Sequence, residues 1–208
     1  LSDQYTYKNG TSIQTGSSSA NPVQRSLQSR LDDLVNVRSF GANGDGTDQT
    51  LALQRAIDQL FLPWSSATDA DSLRKRITLK LDAGLYKISN SLKVPPYVNL
   101  VGDGSDKTVI EQTGAYAVIE TINGNGINAQ TSSTNQSNII KLEGMTLKSY
   151  LTNPALKLSS TKDSQFIDIK LQGPWTQGSA ITSTQIGLLM EATSTPVTTQ
   201  NNNFEKLK

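Results

Sequence analysis

From Ile77 to Ile110 the apolar residues fall at alternate positions, and a turn interrupts every run after one short strand. Ile77, Leu79 and Leu81 alternate with Thr78 and Lys80, the pattern of a half-buried strand. Asp82-Ala83-Gly84 then makes a turn before a second strand, Leu85-Tyr86-Lys87-Ile88. Ser91-Leu92-Lys93-Val94 is a third, closed by Pro95-Pro96. Tyr97-Val98-Asn99-Leu100-Val101 is a fourth, closed by Gly102-Asp103-Gly104, and Thr108-Val109-Ile110 a fifth. Strands this short, spaced about 8–12 residues apart, predict an all-β sandwich, a barrel or a β-solenoid.

Self-similarity in the second half helps to choose among these. Leu142-Glu143-Gly144-Met145-Thr146-Leu147 can be laid over Phe166-Ile167-Asp168-Ile169-Lys170-Leu171, 24 residues on, with apolar residues at the first, fourth and sixth places. Phe204-Glu205-Lys206-Leu207 fits the same frame after a longer excursion through 172–202, and Ala155-Leu156-Lys157-Leu158 resembles Gly187-Leu188-Leu189-Met190. Weak repetition of this kind is expected where each coil stacks only on its neighbours. Composition agrees with an elongated β fold. Hydrophobic residues make up 35% of the 208 residues and charged residues 18%, below the usual globular shares. Ser, Thr, Asn, Gln and Gly fill the difference, which disfavours a helical bundle. A net charge of +1 and recurrent apolar clusters also disfavour disorder.

The same counts exclude several chemistries. With no Cys there are no disulfides or thiolate metal sites, and with no His there is no Ser-His-Asp triad or imidazole–zinc site. Near-neutral charge argues against nucleic-acid binding. No apolar run approaches the roughly 18–20 residues of a membrane span, so no membrane insertion is expected. Leu1 to Gly10 is polar and lacks a signal-peptide core, and Leu1 in place of Met suggests a fragment of a longer chain.

Residues 1–22 read as a polar linker or as an ordered arm docked on another subunit or a larger particle. Over 23–34, Val23, Leu27, Leu31 and Leu34 share one helical face behind Asn21-Pro22, so a short helix is predicted. Its stripe must pack on the following domain or on copies of itself about a symmetry axis. Val35, Val37 and Phe40 suggest a short strand, followed by a turn through Gly41, Gly44 and Gly46. Asp48 is a good N-cap for a helix from about Gln49 to Phe61, whose Leu53, Ala56, Ile57, Leu60 and Phe61 make an amphipathic pattern. Leu62-Pro63 ends that helix, and 64–76 is a polar loop.

Val37 through Asp58 reads VRSFGANGDGTDQTLALQRAID. It resembles the opening motif of pectate-lyase-like β-helix proteins, roughly V-x-x-F-G-A-x-G-D-G-x-T-D-D-T-x-A-[IL]-Q-x-A-[IL]. Leu81-Asp82-Ala83-Gly84-Leu85-Tyr86-Lys87-Ile88 resembles the next segment, L-P-A-G-x-Y-x-I, and Leu92 to Gly104 the piece after it. The lead-in from Asn21 to Leu31 resembles the helix that precedes this motif in phage tail proteins. The resemblance covers about residues 20–113, with departures. The glycine turn is one residue short, Gln49 replaces a common Asp, and Asp82 replaces a common Pro. The missing second Asp weakens any claim of a metal held by paired carboxylates, and the motif residues read as structural: turn, N-cap and a helix closing the open end of a solenoid.

The resemblance implies a right-handed parallel β-helix with an N-terminal capping helix over 35–208, continuing past Lys208. Residues 1–34 would be a linker and neck helix on the virion attachment and trimerisation side. It further implies a phage tailspike segment, homotrimeric, bound to other tail or baseplate proteins and extracellular on the virion. The full chain would recognise and depolymerise a host capsule or O-antigen polysaccharide. The alternatives are a non-enzymatic structural or receptor-binding tail component, and a secreted pectin-type lyase or hydrolase. Hydrolysis needs two carboxylates flanking the bond. Those in the second half are Glu111, Glu120, Glu143, Asp163, Asp168, Glu191 and Glu205, and no two form a local pair. Glu143 and Asp168, between apolar rung positions, are expected to face solvent. Trp175 suits either a sugar face or a subunit interface, Tyr97 suits core or turn packing, and Asn201-Asn202-Asn203 suits a polar ladder or a solvated loop. Sequence alone assigns no catalytic residue, metal site or cofactor to this segment.

Overall fold

The computed structural model describes residues 34–61, 77–122, 137–150, 153–173, 186–192 and 199–208, plus the backbone alone of 4–6 and 24–26, and only the backbone at 137–138. The helix expected over 23–34 is not formed where the chain is described. Gln24–Ser26 (β2) is extended and pairs antiparallel with Gln4–Thr6 (β1), and Leu34–Asn36 (β3) pairs with a strand of the main fold. A short isolated helix bears a nucleation cost, whereas the extended segments gain backbone partners. The remainder of that expected helix lies outside the described residues, as do the loop at 64–76 and Trp175.

After β3 the chain makes a 3-10 turn, Val37–Phe40, where the sequence suggested continued strand. Asn36 accepts a bond from Arg38 N, and Gly41 closes the turn at φ 93°. Asp45–Asp48 (β4) leads to Thr50–Phe61 (α1). Asp48 Oδ1 accepts from Thr50 N at 2.9 Å, the predicted cap, and Leu53, Ala56, Ile57 and Phe61 are buried as predicted.

The remaining strands wind in coils. They are Thr78–Leu81 (β5), Gly84–Ile88 (β6), Leu92–Val94 (β7), Asn99–Gly102 (β8), Thr108–Gln112 (β9) and Ile119–Thr121 (β10). Ser137–Asn138 (β11), Lys141–Lys148 (β12), Leu156–Ser159 (β13), Thr161–Lys162 (β14), Gln165–Gln172 (β15), Leu188–Glu191 (β16) and Asn203–Glu205 (β17) follow. Every pairing among β3 to β17 is parallel. One face stacks β3, β5, β8, β12, β15 and β17. A second stacks β4, β6, β9 and the later halves of β12 and β15. A third stacks β7, β10, β13 and β16. This is a parallel β-helix.

The register makes the core a set of columns. Val35, Leu79, Leu100, Leu142, Phe166 and Phe204 are successive partners in one column. Tyr86, Ile110, Leu147 and Leu171 form the second, and Leu92, Ile119, Leu156 and Leu188 the third. The 24-residue offset is therefore a true rung: Leu142 faces Phe166, Met145 faces Ile169 and Leu147 faces Leu171. Phe204 continues it, its ring stacked on Phe166 with centroids 4.9 Å apart. Burying side chains of this size contributes roughly 1.5–3 kcal/mol each.

At its N-terminal end the third face is closed by α1. Gln54 takes the place of a neighbouring strand: its Oε1 accepts from Lys93 N at 2.8 Å and its Nε2 donates to Lys93 O at 3.1 Å. Edge groups that would invite another strand are thereby satisfied. At Gly44, φ 67°, a Cβ would lie 2.9 Å from the ring of buried Tyr86, so only glycine lets the turn lie against that ring.

Candidate functional site

Among the described residues, the coils that begin with β8, β12, β15 and β17 each enter that strand through a left-handed residue. Tyr97 (φ 69°), Ile139 (φ 55°), Asp163 (φ 52°) and Asn201 (φ 53°) each stand two residues before Asn99, Lys141, Gln165 and Asn203. Those four are successive register partners on the outer side of the first face. Left-handed backbone suits Asn and Asp, but for β-branched Ile it is a genuine strain. The turn column and the strand column together form a groove of about 220 Å³, lined by Tyr97, Asn99, Ile139, Lys141, Asp163 and Gln165. The Asn99 amide bonds Thr78 Oγ1 through Nδ2 at 2.7 Å, while Oδ1 is buried and has no hydrogen-bond partner in the protein. Because the Thr78 hydroxyl can donate or accept, either orientation of the amide leaves one end unbonded. Charge in the groove is balanced. Lys141 Nζ meets Glu143 at 2.6 Å, and Asp163 lies 4.0 Å from Lys162 and accepts from Asn201 at 3.3 Å.

The third face carries a charge ladder on its outer side. Glu120, almost fully buried, is bonded by Lys93 and by Lys157 at 3.1 Å, and Lys157 reaches on to Glu191 at 3.1 Å. Burial pushes the Glu120 carboxyl up, but the lysine hydrogen bonds outweigh it and the net direction is down. Burial likewise lowers Lys157, and its bonds to Glu191 and Glu120 turn the net direction upward. Glu191 also accepts from Ser159 Oγ at 2.8 Å.

At the bend between the first and second faces sit Gly144 (φ 66°) and Asp168 (φ 49°). Asp168 does not simply face solvent. It accepts from Lys208 Nζ at 2.9 Å, Ser105 N at 3.1 Å and Ser105 Oγ at 3.0 Å. Those bonds, Lys208's first, lower its pKa to about 2. Over α1 a wider cleft of about 690 Å³ includes Asp45, Asp48, Leu51 and Arg55. Its two Asp residues serve the turn: Asp45 Oδ1 accepts from Thr47 N, Thr47 Oγ1 and Gln49 Nε2, and Asp48 Oδ1 accepts from Thr50. Gln49, in place of a second Asp, also accepts from Gly44 N at 3.1 Å and is buried.

Among the described residues, then, the carboxylates are mostly held by cations. Glu111 pairs with Lys148 at 2.8 Å, Glu143 with Lys141, Glu120 and Glu191 with lysines, and Asp168 with Lys208. An ionised, doubly bonded Glu120 is a poor proton donor and an inaccessible base. Glu143 and Glu205 face Ile167 from the rungs on either side, separated by two strand spacings, roughly 10 Å. Asn202, in the stretch read as a polar ladder or a solvated loop, ties its coil to the preceding one: its Nδ2 donates to Thr161 O at 2.8 Å and its Oδ1 accepts from Ser164 N at 3.3 Å. Sequence reasoning missed Asn99 and the strained turn column. Asp163 and Asn201 tolerate such backbone, but nothing about Ile139 or Tyr97 announces it. It also missed the lysine partners of Glu120, visible once Leu92, Ile119 and Leu156 are aligned.

A parallel β-helix with a helical cap and polar outer columns defines the class: an elongated scaffold that presents ladders of side chains to solvent. Residues 34–208 match the family described as rhamnogalacturonase A/epimerase, pectate lyase-like, and the chain belongs to that family. No curated protein matches the chain. Among solved structures, ORF18 of Geobacillus virus E2 is similar at 20% identity and a TM-score of 0.50, over 88% of this chain and 41% of that one. The A-module of the Azotobacter vinelandii mannuronan C-5 epimerase AlgE4 is 19% identical with a TM-score of 0.46, over 65% of this chain and 37% of that one. This chain thus spans well under half the length of either structure.

Proposed function

We propose that this chain is the leading part of a phage tailspike whose full-length form recognises and depolymerises a host cell-surface polysaccharide. Membership of a pectate-lyase-like family over residues 34–208 is the observation that carries the polysaccharide part. The tailspike part rests on the phage-like lead-in at Asn21–Leu31; the likeness to the virus protein is one of fold and is compatible with it. In this reading α1 and β3–β17 cap and carry the solenoid, residues 1–34 face the virion, three copies associate, and cleavage is performed by residues downstream. The engagement of Glu111, Glu120, Glu143 and Asp168 by lysines supports assigning catalysis elsewhere.

Incubating the full-length protein with purified capsule or O-antigen of its host tests the proposal. New reducing ends are expected, with none from the 208-residue chain alone. Absorbance from unsaturated sugars would mark a lyase, and its absence a hydrolase. Binding without new ends would favour a second reading, a receptor-binding tail component without enzymatic activity. That reading draws on the same engaged carboxylates.

A further inference from the structure

We propose that the groove lined by Tyr97, Asn99, Ile139, Lys141, Asp163 and Gln165 is a binding site for one neutral pyranose ring of a polysaccharide. The inference rests on the polysaccharide reading above and adds a place and a sugar class to it.

Several observations converge on this groove. One end of the Asn99 amide is buried without a protein partner. Buried polar groups are nearly always bonded, so this end calls for a partner from outside the chain. A single water would meet that need, but the groove holds about 220 Å³, several times the roughly 30 Å³ of one water. It is smaller than the sites that enclose drug-sized ligands, which fits a single ring lying on an open surface.

Its lining has two characters. Ile139, 46% exposed, and the half-buried Tyr97 offer apolar surface from the turn column. Asn99, Gln165 and Lys141 offer amides and an ammonium from the strand column. A pyranose ring presents the matching pair, an apolar C–H face and a rim of hydroxyls that both donate and accept. The unbonded Asn99 end is closed off within the fold; turned about χ2 toward the groove, the amide meets a sugar hydroxyl in either orientation. Since Lys141 is neutralised by Glu143 and Asp163 lies beside Lys162, the groove presents no uncompensated cation to a uronate and no free anion to a cationic sugar. The strain is local as well: left-handed Tyr97, Ile139 and Asp163 all line this groove, and strained backbone gathers at ligand clamps.

The test is saturation-transfer NMR on the chain with the methyl glycosides of glucose, galactose, mannose, rhamnose and glucuronic acid at millimolar concentration. At least one neutral glycoside is expected to receive saturation. Asn99→Ala and Gln165→Ala should each weaken its binding, Asn99→Ala by about tenfold, the loss of one hydrogen bond to a buried group. Lys148→Ala, on the second face, should leave it unchanged. Should Asn99→Ala unfold, Gln165→Ala at its exposed position decides. The proposal is overturned if no glycoside binds, if the uronate binds best, or if neither groove variant weakens binding. The broader reading fails separately. If host polysaccharide binds the full-length protein and both groove variants of it equally, the groove falls and the function stands. If the full-length protein does not bind it at all, the function falls with it.

Discussion

Two outer faces of one coil carry polar side chains in columns and treat them in opposite ways. On the third face Lys93, Glu120, Lys157 and Glu191 form a chain of opposite charges in which each group bonds the next. On the first face the column through Asn99, Lys141 and Gln165 leaves a buried amide end unbonded and stands beside strained left-handed residues. Both columns have the same parallel spacing and the same apolar core beneath them. The contrast teaches that the solenoid specifies only where outward side chains stack. Whether a stack closes on itself or remains open to a ligand is decided by side-chain chemistry alone.

The largest expected effect tests the common core. Phe166 is fully buried between Leu142 and Phe204, directly under the first face. Phe166→Ala should cost about 3–5 kcal/mol by the usual scale for large buried aromatics. If urea denaturation shows a single transition lost at once on both faces, the faces share one cooperative core. Separate transitions would show the coils melting piecemeal.

Next comes the closed ladder. Glu120→Ala leaves two half-buried ammonium groups facing each other and should cost about 2 kcal/mol. A loss below a few tenths of a kcal/mol would show the ladder to be ornament. The ladder also predicts acid lability. Glu120 and Asp168 hold their carboxyls below the ordinary range, Asp168 at about 2. A lowered native pKa means that the unfolded chain binds protons first. This stabilisation is therefore complete above about pH 5 and is lost as pH falls through the ordinary carboxyl range toward the lowered native values, about 2 for Asp168. Melting temperature measured across that window should fall, and Asp168→Asn with Glu120→Gln should flatten the slope. An unchanged slope in the double variant would assign acid lability to other groups.

The two columns also mark what can be read from sequence. The rung offset between Leu142 and Phe166 was legible because one column of core residues must repeat its apolar type at the coil length. The cap was legible because Asp48 and the Leu53–Phe61 stripe are local signals. The groove was not. Asn99 and Lys141 are register partners 141 − 99 = 42 positions apart, whereas Lys141 and Gln165 are 165 − 141 = 24 apart, and no periodicity encodes that difference. The left-handed Ile139 runs against its own propensity, so local rules predict the opposite there. Where the lead-in is described, at 24–26 and 34–36, it is strand for a related reason: an apolar stripe specifies a helix only when something packs on it.

Strain on the open face gives a smaller effect of opposite sign. Ile139→Asn replaces a β-branched residue at φ 55° with one that accepts left-handed backbone, at a position that buries little. Stability should rise by about 1 kcal/mol, read as a higher melting temperature, while the apolar wall of the groove is lost. A gain in stability together with unchanged sugar binding would separate the strain from the groove.

The smallest effect belongs to an ion pair that lies outside both columns. Glu111 and Lys148 are register partners on the second face, 2.8 Å apart, and both side chains are partly exposed. Water already solvates each charge there, and holding two long side chains in one geometry costs entropy. Such pairs contribute about 0.2–1 kcal/mol. Lys148→Ala should therefore lower stability by well under half the effect of Glu120→Ala, and most of that loss should vanish at about 1 M salt, where the screening length is roughly 3 Å. The Glu120 loss should persist in the same salt because its carboxylate is almost fully buried. Equal salt sensitivity in the two variants would mean that the ladder of the third face is solvated like any surface pair, and the distinction between a closed column and an ordinary exposed one would collapse.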